Sequence, residues 1–169
     1  SGHIYAFEPD PFSYRLLSQN VARRGIRNAT LVQKAVLDRG GEVILHFGKA
    51  NRADNRIYPF TGSAESAAVS SVSVDEYGES CLEHVDVIKM DVQGAEHAVL
   101  TGIRKTLQRS DSVLICSEFF PEMMRSCGGD PLGFLEELDA QGFSISVLEQ
   151  NLCPLPKEKF RVLIDDLGS

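Results

Sequence analysis

The run Val85-Asp86-Val87-Ile88-Lys89-Met90-Asp91 constrains the fold of this chain more than any other segment. It is too short to span a bilayer and too evenly apolar for a strand with one wet face. Such a strand is expected inside a parallel sheet that is covered on both sides. The residues after it fit that setting. Gly94 turns the chain, and Val99, Leu100, Ile103 and Leu107 then recur at helical spacing. Val113-Leu114-Ile115-Cys116 reads as a second buried strand, with Cys116 in the core and Glu118 and Pro121 at its end.

The flanking segments repeat the alternation. Residues 4–8 read as a strand. Asp10 can cap a helix, Pro11 suits its first position, and Gly25 is a natural stop, which predicts a helix over 11–24. Ala29–Lys34 and Val43–Phe47 read as strands. Residues 48–68 are polar and small, and the expectation is a long loop, mobile or ordered by substrate or a neighbouring chain. Ser71–Val74 is expected to be a short edge strand. Asp130-Pro131 repeats the cap of Asp10-Pro11, and Gly142 closes that helix. Phe143–Leu148 and Phe160–Ile164 are expected as two final strands, paired antiparallel. The order predicts an α/β domain with a mostly parallel sheet and one antiparallel edge strand.

Composition narrows the function. With 43% hydrophobic residues, the chain can bury a core. A net charge of -7 and a pI near 5.1 argue against a broad nucleic-acid-binding face. No apolar run approaches the roughly 20 residues of a membrane span, and no signal peptide is visible. Cys81, Cys116, Cys127 and Cys153 form no CxxC pair, so they read as reduced thiols; no metal is expected, and the expected location is cytoplasmic.

Ligands of open parallel sheets bind outside the carboxyl ends of the strands. Glu8, Asp91 and Glu118 all lie at such ends. A carboxylate has two acceptor oxygens, so Glu8 could take both hydroxyls of a ribose; the other account is a solvated or capping acid beside Asp10. Lys89 and Asp91 are two apart and share a face. A lysine in so apolar a strand needs either a partner or an opening onto a site. Glu96 falls at the entry of the next helix, where the macrodipole alone favours an acid.

Ile4-Tyr5-Ala6-Phe7-Glu8-Pro9-Asp10-Pro11, Lys34-Ala35-Val36, the stretch from Val85 to Glu96, and Glu118 with Pro121 together resemble the FkbM-type S-adenosylmethionine-dependent methyltransferases. The resemblance implies a Rossmann-like class I methyltransferase fold, a three-layer sandwich, with S-adenosyl-L-methionine as cofactor. It implies that Glu8, with Pro9 beside it, holds the cofactor's ribose. Lys34 and Ala35 would border the adenine, and Asp91 would lie near the methyl group. Asp91 is then the candidate base or substrate-orienting group, with Lys89 tuning it and His97 a weaker candidate. Glu96, Glu118, Arg52 and Arg56 are candidates for contact with the acceptor. Many members carry glutamate where this chain has Gln93, so Gln93 is not assigned as acid, base or metal ligand.

Members of that family begin with a strand and a glycine-rich turn, and neither precedes Ser1-Gly2. Residues 1–169 are therefore expected to be a single catalytic domain truncated at its N-terminus, with the first strand missing from between strands 4–8 and 85–91. The expected reaction is O-methylation of a hydroxyl on a small molecule or sugar. No nucleic acid and no membrane span are expected, and a homo-oligomer stays open. Two other readings remain. One is a nicotinamide-dependent dehydrogenase, which also binds ribose through an acid after a strand. The other is a non-catalytic methyltransferase-like module that binds a partner.

Overall fold

A computed structural model describes residues 2–79, 81–148 and 150–168, apart from the side chain of Arg52. The chain is mixed α/β. Strand β1 (Ile4–Phe7) leads into helix α1 (Pro11–Arg23), and β2 (Ala29–Val32) returns parallel to β1. The cap read from sequence forms: the Asp10 carboxylate accepts from the Phe12 N–H at 3.1 Å, with Pro11 in the first turn. Gly25 follows with φ +64°, a conformation that suits glycine.

Next come β3 (Ala35–Val36), β4 (Gly41–Gly48), a 3-10 turn (Arg52–Asp54) and β5 (Ser63–Val72). Here the expected loop is corrected. Residues 63–68 belong to a ten-residue strand that pairs antiparallel along β4 and parallel with β3. Ser63–Val72 is mostly small and polar, so its own β propensity is weak; pairing on both sides supplies what propensity does not. The expected edge strand at Ser71–Val74 is instead the end of this middle strand, after which α2 (Val74–Gly78) begins. Tyr77 of α2 meets β1 edge-on, with ring centroids 5.1 Å from Phe7 and 6.0 Å from Tyr5.

The second half holds β6 (Val87–Met90), α3 (Glu96–Thr101), α4 (Arg104–Gln108), β7 (Leu114–Ser117), α5 (Pro121–Ser126) and α6 (Pro131–Ala140). A short hairpin, β8 (Ser146–Leu148) with β9 (Leu152–Pro154), precedes α7 (Phe160–Leu167). The helix expected through Leu107 breaks at Gly102. A Cβ there would stand 2.2 Å from the Leu37 carbonyl oxygen, so the two segments pass backbone to backbone. The Asp75 carboxylate caps α4 from outside, accepting from the Lys105 and Thr106 N–H groups at 3.0 and 2.8 Å.

The strand expected at Phe160–Ile164 is a helix. A short apolar run does not reveal its period, and here Phe160 and Ile164, one turn apart, both face the core. The hairpin exists, but its second strand is Leu152–Pro154.

Met90, Val99, Leu100, Ile103, Leu107, Met124, Phe134, Leu135, Leu138, Phe160 and Ile164 form the buried core. Each large side chain among them gains about 1.5–3 kcal/mol by leaving water. This core covers one face of β6 and β7. The other face is bare: Val87 and Leu114, paired in register, are 64% and 65% exposed, and Cys116 is exposed too. That corrects the expectation of a strand covered on both sides with Cys116 in the core. Among the described residues, the strands pair as four small sheets rather than one continuous sheet. Among the described residues, β1 pairs only with β2 and β6 only with β7, so each keeps one edge without a strand.

Candidate active site

Asp91 directly follows β6, and Glu118 directly follows β7. The two strands run parallel in register, so their ends bring these carboxylates together. A backbone bond from the Glu118 N–H to the Met90 carbonyl, 3.2 Å, ties the ends. The Lys89 ammonium donates to Asp91 Oδ2 at 3.2 Å and to the Met90 carbonyl at 3.3 Å. The Gln93 amide nitrogen donates to Asp91 Oδ1 at 2.9 Å and to Glu118 Oε2 at 3.1 Å. Both oxygens of Asp91 are thus held. The amide bond from Gln93 is the largest influence that lowers the Asp91 pKa, and the Lys89 bond and charge add to it. A carboxylate held below its ordinary range is a weak base.

The turn behind this cluster is built from Gln93 and Gly94, both with positive φ, +53° and +102°. Gly94 is packed so closely that a Cβ would lie 2.5 Å from the Met123 carbonyl oxygen. The Val92 and Gly94 N–H groups converge on Glu96 Oε1, at 3.4 and 3.3 Å. Glu96 is 2% exposed, and its Oε2 has no hydrogen-bond partner among the described residues. Burial raises its pKa despite those N–H bonds. Of the Glu96 carboxyl, Oε1 is engaged by the turn and Oε2 is buried without a partner among the described residues.

Glu8 follows β1 and is half-buried. Its Oε1 accepts from the Asp10 N–H at 2.8 Å, and its Oε2 has no partner among the described residues. Burial is the main cause of a raised pKa. Pro9 beside it is also half-buried. Asp10 is 1% exposed; it accepts from the Ser13 hydroxyl at 2.9 Å and from the Asn55 amide at 3.4 Å. Asn55 in turn accepts from the Gly48 N–H at 3.0 Å, so the 48–56 segment is tethered to the end of β1. Lys34 is half-buried after β2, and Ala35 is 5% exposed in β3.

Arg56 serves its own loop. It donates to Asp54 at 2.5 Å and to the Tyr58 hydroxyl at 3.2 Å, and it lies 4.4 Å over the Phe60 ring. The Arg52 side chain lies outside the described residues. His97 is engaged as well, its Nδ1 accepting from the Asp130 N–H at 3.0 Å.

The structure therefore brings together Lys89, Asp91 and Glu118, and adds Gln93, which the sequence reading had set aside. The usable signal is Gln-Gly after an apolar strand: a turn that takes positive φ, with an amide able to donate twice. A surface depression of about 240 Å³ lies beside the turn, lined by Gly94, His97, Cys127 and neighbours, and does not include Asp91. Among the described residues, no group of three or more His, Cys, Asp or Glu side chains could hold a metal, and no helix is long and apolar enough to cross a membrane.

The family model for the methyltransferase FkbM domain matches residues 1–150. The chain is also similar to the 2-O-methyltransferase NoeI of Sinorhizobium fredii (strain NBRC 101917 / NGR234). They are 27% identical over 124 residues, covering 63% of this chain and 50% of that protein. The chain thus spans about half the length of this curated relative. No solved structure matches it. With most of its length matched, from the strand that ends at Glu8 to the hairpin after α6, the chain belongs to the FkbM methyltransferase family.

Proposed function

We propose that this domain transfers a methyl group from S-adenosyl-L-methionine to a hydroxyl oxygen of a small molecule or sugar. Family membership implies a methyl donor. The name of the relative, a 2-O-methyltransferase, supports oxygen as the acceptor atom. The observation that carries the cofactor reading is Glu8: a half-buried carboxylate at a strand end, with one oxygen left over for a ligand hydroxyl.

In this reading Glu8 holds the ribose, with Pro9 shaping the turn, and Lys34 and Ala35 border the adenine. The sulfonium supplies an electrophilic methyl group, and that chemistry belongs to the cofactor. The protein aligns the acceptor oxygen; as its bond to the methyl carbon forms and the carbon–sulfur bond breaks, the hydroxyl proton passes to solvent. Asp91, ionised and gripped on both oxygens, suits orientation of the acceptor and of the positive charge better than proton removal. Lys89 fixes one of those oxygens. Glu118 and the loop bearing Arg52 and Arg56 are the proposed acceptor contacts.

We also propose that the catalytic domain is a Rossmann-like sandwich completed by a further strand lying between β1 and β6. The support is the pair of strand edges without partners, since parallel sheets rarely leave such edges and faces bare.

The test supplies the protein with S-adenosylmethionine bearing a labelled methyl group and a panel of sugars and small alcohols. Label transferred to an oxygen supports the proposal. Binding of a nicotinamide cofactor in preference to S-adenosylmethionine would support the dehydrogenase reading instead.

A further inference from the structure

Gln93 stands out once the site is assembled. It is the one non-glycine residue with positive φ, +53°, among the described residues. That conformation costs a side-chain-bearing residue about 1 kcal/mol or more, and it persists where something offsets it. Glycine would relieve the cost, as Gly94 does next door. The side chain at 93 is instead aimed back over the strand ends, where it bridges Asp91 Oδ1 at 2.9 Å and Glu118 Oε2 at 3.1 Å.

We propose that Gln93 is a positioning residue: its carboxamide clamps Asp91 at the end of β6 to Glu118 at the end of β7, fixing the charge and direction that Asp91 presents to the reacting group. Only the last clause rests on the methyltransferase reading.

The residue type fits the task. A primary amide nitrogen carries two hydrogens, one for each carboxylate. Neighbouring carboxylates repel, and without a donor between them the ionised form of each is disfavoured. Glutamine supplies the donors without a charge of its own, so the clamp does not titrate. An ionised glutamate at 93 would donate nothing and would add a third negative charge. A lysine would form two ion pairs but would compete with Lys89. The charged groups around Asp91 are Lys89 from β6 itself and Glu118 from β7, and the Glu118 carboxylate in turn helps to raise the pKa of the buried Glu96 of α3. The direction of the Asp91 shift agrees, since the amide of Gln93 is its leading cause.

Two variants separate the clamp from a simple turn. Gln93→Gly keeps the positive φ and deletes the amide. Gln93→Glu keeps the length and deletes the donors. Carboxyl 13C NMR titration of Asp91 and Glu118 is run on the folded full chain, with thermal melting and S-adenosylmethionine affinity alongside. The clamp predicts that Gln93→Gly melts at or above the wild type, while its Asp91 midpoint rises by roughly 0.5–1 pH unit, a partial effect because the group is solvent-screened. In Gln93→Glu the midpoint rises further, and Asp91 and Glu118 titrate as a coupled pair. An Asp91 midpoint that is the same in all three proteins would overturn the clamp, leaving Gln93 as a turn residue. Failure of the wild type to bind S-adenosylmethionine would defeat the cofactor reading instead, and the titrations would still decide the clamp.

Discussion

The two halves of the molecule are held in different ways. From Met90 to Ile164, helices close over one face of β6 and β7 and bury a contiguous apolar core. In β1, α1 and β2, no side chain is fully buried, and Phe12 and Leu16 of α1 are 41% and 44% exposed. Polar links do more of the work there. Asp10 caps α1 and receives Asn55, Tyr77 abuts β1, and the Tyr5 hydroxyl donates to the Cys81 carbonyl at 3.2 Å. The same contrast appears at the strand ends. Asp91 has both oxygens held by its own chain, whereas Glu8 keeps one oxygen open. The tightly packed half carries a prearranged cluster, and the thinly packed half carries the group with capacity left for a ligand.

Phe134→Ala should have the largest effect on stability. Phe134 is 2% exposed and stacks on Phe119 at 6.1 Å, so its loss should cost about 3–5 kcal/mol in denaturant unfolding. A cost below about 1 kcal/mol would show that the second half does not carry the stability. Gly102→Ala probes the seam between α3–α4 and the Leu37 segment. Its Cβ would meet the Leu37 carbonyl, and we expect a loss of about 1–3 kcal/mol in the same measurement.

Glu96→Gln should have a smaller effect, readable in its pH dependence. Burial raises the Glu96 pKa above its ordinary 4.5, so the folded state binds this proton more tightly than the unfolded state does. Its contribution is fully present below pH 4.5 and is lost as pH rises through the folded-state value. Glutamine does not titrate. Melting curves should therefore show Glu96→Gln gaining on the wild type as pH rises from about 4 to 8, and a constant difference would refute the assignment. Leu16→Ala should do least, under about 1 kcal/mol, because close to half of this residue's surface is already in water. A larger loss would mean that α1 is packed more firmly than its exposure indicates.

Much of this was legible in the sequence, and the failures share a cause. The caps at Asp10 and Asp130 and the stops at Gly25 and Gly142 are local chemistry, and all are present. The strand ends carrying Glu8, Asp91 and Glu118 could be placed because apolar runs and turn residues bounded them. Ser63–Val72 was not legible, because its partners in β3 and β4 make it a strand. Phe160–Ile164 read as a strand because five residues are too few to separate one period from the other. The bare face of β6 and β7 could not be anticipated either, since an apolar pattern does not say which face is covered. Three acids, Glu8, Asp91 and Glu118, could be placed at strand ends by position. Gln93 was missed because its contribution depends on a backbone angle and on the spacing of two carboxylates that are distant in sequence.

The open carboxylate at the end of β1 is the proposed seat of the cofactor's ribose. That role is tested most directly by calorimetric titration of S-adenosylmethionine into the full protein and into its Glu8→Ala variant, with thermal melting as a control for folding. The variant should melt like the wild type and bind S-adenosylmethionine roughly ten- to hundredfold more weakly, the loss of charged hydrogen bonds worth about 1.5–3 kcal/mol. Equal affinity in the two proteins would contradict that role.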